Sequence, residues 1–185
     1  MRVKTVALAI VLALSATTAA SGADPAPPEP PGIWTGPLQG AVPATITGGE
    51  VLGTEELAAL VAAEGPVLVD VAPWPRKPEN LASGTWSRPP HRSLPGAVWL
   101  PDVGNGDIPL AHEAWLRARL KALTGNDPGK PLVIFCHPNC WASWNAAKRA
   151  ILYGYQRVYW YPDGVEGWQD SGRPTEVIQA QKRPG

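Results

Sequence analysis

The chain has 185 residues, 44% of them hydrophobic, which suits one domain with a buried core and excludes a multidomain assembly. Its 16 basic and 16 acidic side chains balance, which excludes the basic stripe of a nucleic-acid binder and the acidic tail of a charge-driven partner. Two cysteines are too few for a scaffold built from disulfides.

Residues 1–23 set Arg2 and Lys4 ahead of the apolar run "TVALAIVLALSA" and end in the small residues "TTAASGA". That is the layout of a cleavable secretory signal. The run is about a dozen residues, short of the roughly 20 that span a bilayer. The expectation is therefore an exported chain, cleaved after Ala20 or Ala23, with no membrane span afterwards. Without Arg2 and Lys4 the remainder carries 14 basic against 16 acidic groups, a balance near −2. Residues 24–44 hold seven prolines in 21 positions and read as an extended, unpacked lead-in. The folded domain is expected over 45–178, with a short tail at 179–185.

Within that domain, helix and buried-strand signals alternate. "TEELAALVAAE" (Thr54–Glu64) has two glutamates in its first turn and apolar residues at helical spacing. "VLVDV" (Val67–Val71), between two prolines, reads as a strand buried on both faces. "AVWL" (Ala97–Leu100) is a weaker strand. "HEAWLRARLKAL" (His112–Leu123) is an amphipathic helix, and "LVIF" (Leu132–Phe135) is a second buried strand. "WASWNAAKRAILY" is a helix stopped at Gly154, and "RVYWY" (Arg157–Tyr161) is a further strand. Short connections between such elements imply an α/β fold: one domain with a central, mostly parallel sheet flanked by helices on both faces.

In such a sheet ligands bind beyond the carboxyl ends of the strands. Cys136 lies there, directly after "LVIF", and the loop "HPNC" leads from it into a helix. Unpaired N–H groups and the helix dipole favour negative charge at that point, so a thiolate at Cys136 is expected to be stabilised. Cys140 is the second sulfur, four positions on. A bridge across so short a loop would contribute little chain entropy, which makes a structural staple a poor reason for the pair. His137, Asn139 and Trp141 of the loop are the expected substrate contacts. Arg88 and Arg92 of "SRPPHR" would add positive charge if that segment folds over the loop. Asp70 reads as a structural acceptor at a strand end, Asp163 and Glu166 as turn chemistry. Lys148 and Arg149 lie late in their helix, where they complement its dipole.

At this point the chain resembles the rhodanese-like domain. The resemblance is carried by "VLVDVAP", "LPGAVWLP", "LVIF" with Cys136 and "HPNCWA", and the closing "LYGYQRVYWYPDGVEGWQDSGRP". It implies sulfurtransferase or related thiol chemistry with Cys136 as nucleophile and the helix N-terminus as an anion cradle. Rhodanese loops usually carry arginine where His137 and Trp141 stand here, and they lack a counterpart of Cys140. Pro138 also removes one N–H from the cradle. The stretches "VPATITGGEVL", "RPPHRSLPGAVWLPDVGNG" and "CHPNCWASW" resemble more narrowly a family of exported proteins named for a cysteine-pair-Trp motif. That family is associated with catabolism dependent on pyrroloquinoline quinone. The narrower resemblance implies a periplasmic location, and partners among other periplasmic proteins, including components of quinoprotein dehydrogenase systems.

Three chemistries fit the loop. In the first, Cys136 attacks and Cys140 resolves, by thiol–disulfide exchange or persulfide transfer. In the second, Cys136 and Cys140 with His137 hold a soft ion such as Cu(I); a zinc site would need about two further ligands, and neither His91 nor His112 can be placed there from sequence. In the third, the disulfide is inert and a tryptophan-rich face, with Trp141 and Trp144 beside the cysteines, binds a partner or a quinone-type cofactor.

Overall fold

The computed structural model describes residues 25–82 and 84–183; the expected secretory signal lies outside them. Three apolar runs form the centre of the sheet. Strands β2 (Val67–Asp70), β5 (Leu132–Phe135) and β6 (Val158–Tyr161) join two short edge strands, β1 (Glu50–Val51) and β4 (Val98–Trp99). The order is β1-β6-β5-β2-β4, and every neighbouring pair is parallel. The helices are α1 (Thr54–Glu64), α2 (Leu110–Leu123), α3 (Trp141–Leu152) and α4 (Gly164–Asp170). A separate antiparallel pair joins β3 (His91–Ser93) to β7 (Glu176–Ile178).

The strands are continuously apolar because the sheet is covered on both sides. Side chains alternate along β5: Leu132 and Ile134 enter one core with Leu116 and Leu120 of α2 and Trp144 and Ala147 of α3. Val133 and Phe135 enter the other, with Leu57 of α1 and Val165 and Trp168 of α4. Strand β6 divides the same way, Trp160 to the first core and Tyr161 to the second. Helix α1 is begun by the Glu56 carboxylate, which accepts the Gly53 N–H at 2.8 Å, and it ends at Gly65 with φ 55°.

Two expectations need correction. The proline-rich lead is extended but not unpacked. Trp34 stacks on Trp141 at 4.4 Å, and Glu29 accepts the Thr45 hydroxyl at 2.6 Å and the Thr47 N–H at 2.9 Å. Composition predicts an extended chain there, and two tryptophans supply the apolar area that lets it pack. Arg149 lies in the last turn of α3, as expected, but its side chain is turned inward. It is buried and donates to Val103 O at 3.1 Å and to Gly106 O at 2.6 Å, fixing the loop in front of α2. Helix α4 and strands β1, β3 and β7 were not expected: the strands are two or three residues long, and "PDG" ahead of α4 is turn chemistry.

Two glycines let backbone close around the loop after β5. A Cβ at Gly104 would meet the backbone of Ala142, and one at Gly164 would meet the Cys136 carbonyl. Gly164 also has φ 60°, where an L side chain costs about 1–2 kcal/mol before any clash. Gly154 has positive φ as well (95°) but open space around it. Gly164→Ala is therefore expected to lower the denaturant midpoint clearly more than Gly154→Ala. Equal losses in the two variants would show that the contact with Cys136 adds nothing to the backbone strain.

Candidate active site

Strand β5 delivers Cys136 to the carboxyl end of the sheet, where its carbonyl accepts the Val165 N–H of α4 at 3.0 Å. The loop then turns through Asn139, whose φ of 55° is a conformation that asparagine tolerates, and α3 begins at Trp141 with Cys140 as its N-cap. Cys136 is 0% exposed and Cys140 5%. The Cys136 sulfur faces two carbonyl oxygens, His137 O at 3.6 Å and Cys140 O at 3.7 Å.

Burial, together with the neighbouring Cys140 sulfur, pushes the Cys136 thiol well above its ordinary value. Cys140 moves the other way, from an ordinary 9.0 down to about 6. The main cause is the hydrogen bond from the Cys136 thiol; burial opposes it, and the Ala142 N–H and the charge of His137 reinforce it. The sequence argument placed the thiolate on Cys136 because that residue ends the strand. The helix begins at Trp141, so the capping position belongs to Cys140, and both sulfurs lie in one core cluster.

One side of this dithiol is roofed by the lead segment. Leu38 to Gly40 run antiparallel to Asn139–Trp141: Trp141 N–H donates to Leu38 O at 2.7 Å and Gly40 N–H to Asn139 O at 2.9 Å. The Gln39 amide donates to Pro138 O at 3.3 Å. Asn145 of α3 anchors the segment, accepting the Trp34 N–H at 2.8 Å and donating to Trp34 O at 2.9 Å. Trp141 is thus sandwiched between Trp34 and Trp144 at the edge of a cleft of about 540 Å³, lined by Pro31, Trp34, Pro37 and Trp141 among others. The first N–H of α3, that of Trp141, is occupied by Leu38 O. Part of the anion cradle expected at this helix end is thus taken up by the protein itself.

The other side is built from two histidine–carboxylate pairs. His91 Nε2 lies 2.7 Å from Asp70 Oδ2, which also accepts the Ser93 hydroxyl at 2.6 Å, while Oδ1 accepts the Ala72 N–H at 2.8 Å. Asp70 is therefore the structural acceptor expected at the strand end. His137 Nδ1 lies 2.8 Å from Glu166 Oε1, so Glu166 is a partner of the loop rather than a turn residue. The two imidazoles meet edge-on at 6.5 Å, and His91 stacks on Trp99 at 3.8 Å.

The segment that holds Arg88 and Arg92 does approach the loop, but through His91. Strand alternation turns His91 and Ser93 inward and Arg92 outward, to Thr175 at 3.4 Å. Arg88 lies 4.2 Å over the Trp74 ring. The sequence alone does not place His91 here: it reaches Asp70 from a three-residue strand of the separate β3–β7 pair. Asn139 is exposed, and its carbonyl is engaged by Gly40. Among the described residues no three or more His, Cys, Asp or Glu side chains form a group that could hold a metal ion. No described helix is long and apolar enough to cross a membrane.

The rhodanese-like domain model matches residues 53–171. No curated protein sequence matches the chain. Among solved structures, it is similar to a thiosulfate sulfurtransferase from Pseudomonas aeruginosa, with 19% identity over 74% of this chain and 22% of that one and a TM-score of 0.45. It is also similar to SseA from Escherichia coli, described with the 3-mercaptopyruvate sulfotransferases, with 21% identity over 72% and 53% of the two chains and a TM-score of 0.48. A third likeness is to an uncharacterized protein from Saccharomyces cerevisiae, with 20% identity over 66% and 92% and a TM-score of 0.40. The chain thus spans well under two thirds of the first and second of these proteins. A family model that covers more than half of the chain, on an all-parallel five-stranded sheet with four helices, makes this protein a member of the rhodanese-like domain family.

Proposed function

We propose that the protein carries out thiol–disulfide exchange, with Cys140 as the attacking thiolate and Cys136 as the resolving thiol. The observation that carries this reading is the placement of two free cysteines on one loop, Cys136 fully buried at the end of β5 and Cys140 at the N-cap of α3, with the Cys136 thiol pushed up and the Cys140 thiol pushed down. The Cys140 thiolate attacks one sulfur of a partner disulfide, forming a mixed disulfide and releasing the partner's other sulfur as a thiolate. Cys136 then gives up its proton and attacks the Cys140 sulfur. The bond to the partner breaks, its second thiolate leaves and takes up the proton, and the Cys136–Cys140 disulfide closes. The partner is reduced by two electrons and the protein is oxidised by two; the reverse direction oxidises a dithiol partner.

Transfer of sulfane sulfur from an oxyanion donor is the alternative within the family's chemistry, and two features weigh against it. The first N–H of α3, one of those that would hold an oxyanion, is engaged by Leu38 O, and a persulfide on either cysteine would sit beside a second thiol able to discharge it. The proposed setting is the bacterial periplasm, supported by the charge and hydropathy pattern of residues 1–23. The proposed partners are other exported proteins, including components of quinoprotein dehydrogenase systems; that link rests on the narrower sequence resemblance alone.

The assignment of charge is checked by pH titration of thiolate absorbance in the reduced protein. One thiolate is expected to appear with a midpoint near 6. Cys140→Ser removes it, and Cys136→Ala moves it up toward the ordinary thiol value by deleting its main hydrogen-bond donor. A midpoint near 9.0 in the wild-type protein would sink the reading. Because the folded state lowers the Cys140 pKa, this group's stabilisation is complete above 9.0 and is lost as pH falls toward about 6. The reduced protein is therefore expected to lose denaturant resistance across that window, and Cys140→Ser to lose less.

Exchange itself is tested with a disulfide-bonded peptide and mass spectrometry. Cys136→Ser is expected to accumulate the mixed disulfide through Cys140, and Cys140→Ser to slow exchange by about 100-fold or more, since a buried protonated thiol is a poor nucleophile. Undiminished exchange in Cys140→Ser, or a stable persulfide on the wild-type protein after treatment with thiosulfate, would overturn the proposal.

A further inference from the structure

Resolution of the mixed disulfide requires a negative charge on Cys136, and the surroundings of that sulfur in the resting state oppose one. It is fully buried, and the carbonyl oxygens of His137 and Cys140 suit a thiol donor rather than a thiolate. Ser143, in the first turn of α3, is almost wholly buried at 1% exposure. Its hydroxyl donates to Cys140 O at 3.1 Å, the same oxygen that the Cys136 thiol approaches at 3.7 Å. Its oxygen accepts the Trp160 indole N–H at 3.0 Å, and Trp160 is fixed in the core of β6. With one lone pair held by Trp160, the hydroxyl proton is directed to Cys140 O, the oxygen that the Cys136 sulfur shares, and a hydrogen bond from Ser143 favours the ionised form of Cys136.

A back-bonded serine near a helix start is ordinary in itself. The indole donor is what distinguishes this one: it fixes the hydroxyl on the oxygen that the Cys136 sulfur also approaches, in a site closed to solvent. We infer that Ser143, aimed by Trp160, is the positioning residue for the second half of the exchange, turning its O–H from Cys140 O to the Cys136 sulfur as that sulfur ionises. This rests on the exchange reading above. The step balances without a further reagent. Cys136 loses a proton and bonds to the Cys140 sulfur, the Cys140–partner S–S bond breaks, and the leaving thiolate takes up the proton. Attachment of the partner to Cys140 also removes the neighbouring negative charge that hinders ionisation of Cys136. The serine is thus needed once the first step is complete and has no part in that step.

The test is rapid mixing of the reduced protein with a small aromatic disulfide whose leaving thiol is coloured, so that attack and resolution appear as two successive releases. Ser143→Ala is expected to leave the first release within about twofold of wild type and to slow the second about tenfold, the scale of one lost hydrogen bond to a charged group. The pH profile of the second release should move to higher pH, a change that loosened packing alone would not produce. Trp160→Phe keeps the hydroxyl but removes its aim; it should slow the second release by a smaller factor, and it carries the test if Ser143→Ala does not fold. An unchanged second release and pH profile, or equal slowing of both releases, would overturn the inference. Cys136→Ser separates this from the parent reading: if a second release persists without Cys136, the exchange mechanism itself fails and the role of Ser143 falls with it.

Discussion

The approach of the Cys136 sulfur to the Cys140 carbonyl, at 3.7 Å, is the contact around which the loop is arranged. It requires one cysteine at the end of a buried strand and the other at the start of a helix, and the four-residue step from Cys136 to Cys140 places them so. Neither half of the pair would have its character alone. Without the Cys136 thiol, Cys140 would be a largely buried sulfur stabilised by one backbone N–H and a nearby histidine; without the Cys140 thiolate, Cys136 would be an inert core thiol. The glycines at 104 and 164 and the carbonyl clamps of Arg149 serve this contact by letting backbone press on the loop from both sides.

The loop also shows what becomes of an anion-binding turn once its arginines are gone. His137 and Trp141 occupy the places where arginine would bring permanent positive charge. His137 instead pairs with Glu166, and His91 reaches in from the β3 strand paired with Asp70. Each imidazole is thus coupled to a carboxylate, so the rim near the sulfurs carries two titratable groups where a sulfur-oxyanion site would carry fixed cations. Trp141 turns away into an aromatic stack with Trp34 and Trp144.

Much of the architecture was legible in the chain because the strands that matter are apolar on both faces and the helices have clear ends. Helix α1 and strand β5 begin and end where periodicity and flanking residues put them. The site was legible only in outline. "LVIF" followed by Cys136 marks the reaction loop, but which sulfur holds the charge depends on where α3 starts in space, and a four-residue loop reads the same either way. The contribution of His91 depends on a three-residue strand that no periodicity reveals, and that of Glu166 on a helix hidden behind turn residues. The packing of the proline-rich lead was invisible for a different reason: composition describes the stiffness of such a segment but not the surface it is laid against.

The span matched by the family model opens at residue 53, whereas the roof over the dithiol is laid by residues 34–40. The conserved-domain boundary and the working unit are thus different objects. A fragment trimmed to the recognisable domain would keep the sheet and both sulfurs but present the first N–H of α3, the face of Trp141 and the Asn145 amide to water. Its thiols would meet reagents without that cover on one side. An assay on such a fragment would report the chemistry of the uncovered loop, not that of the roofed protein.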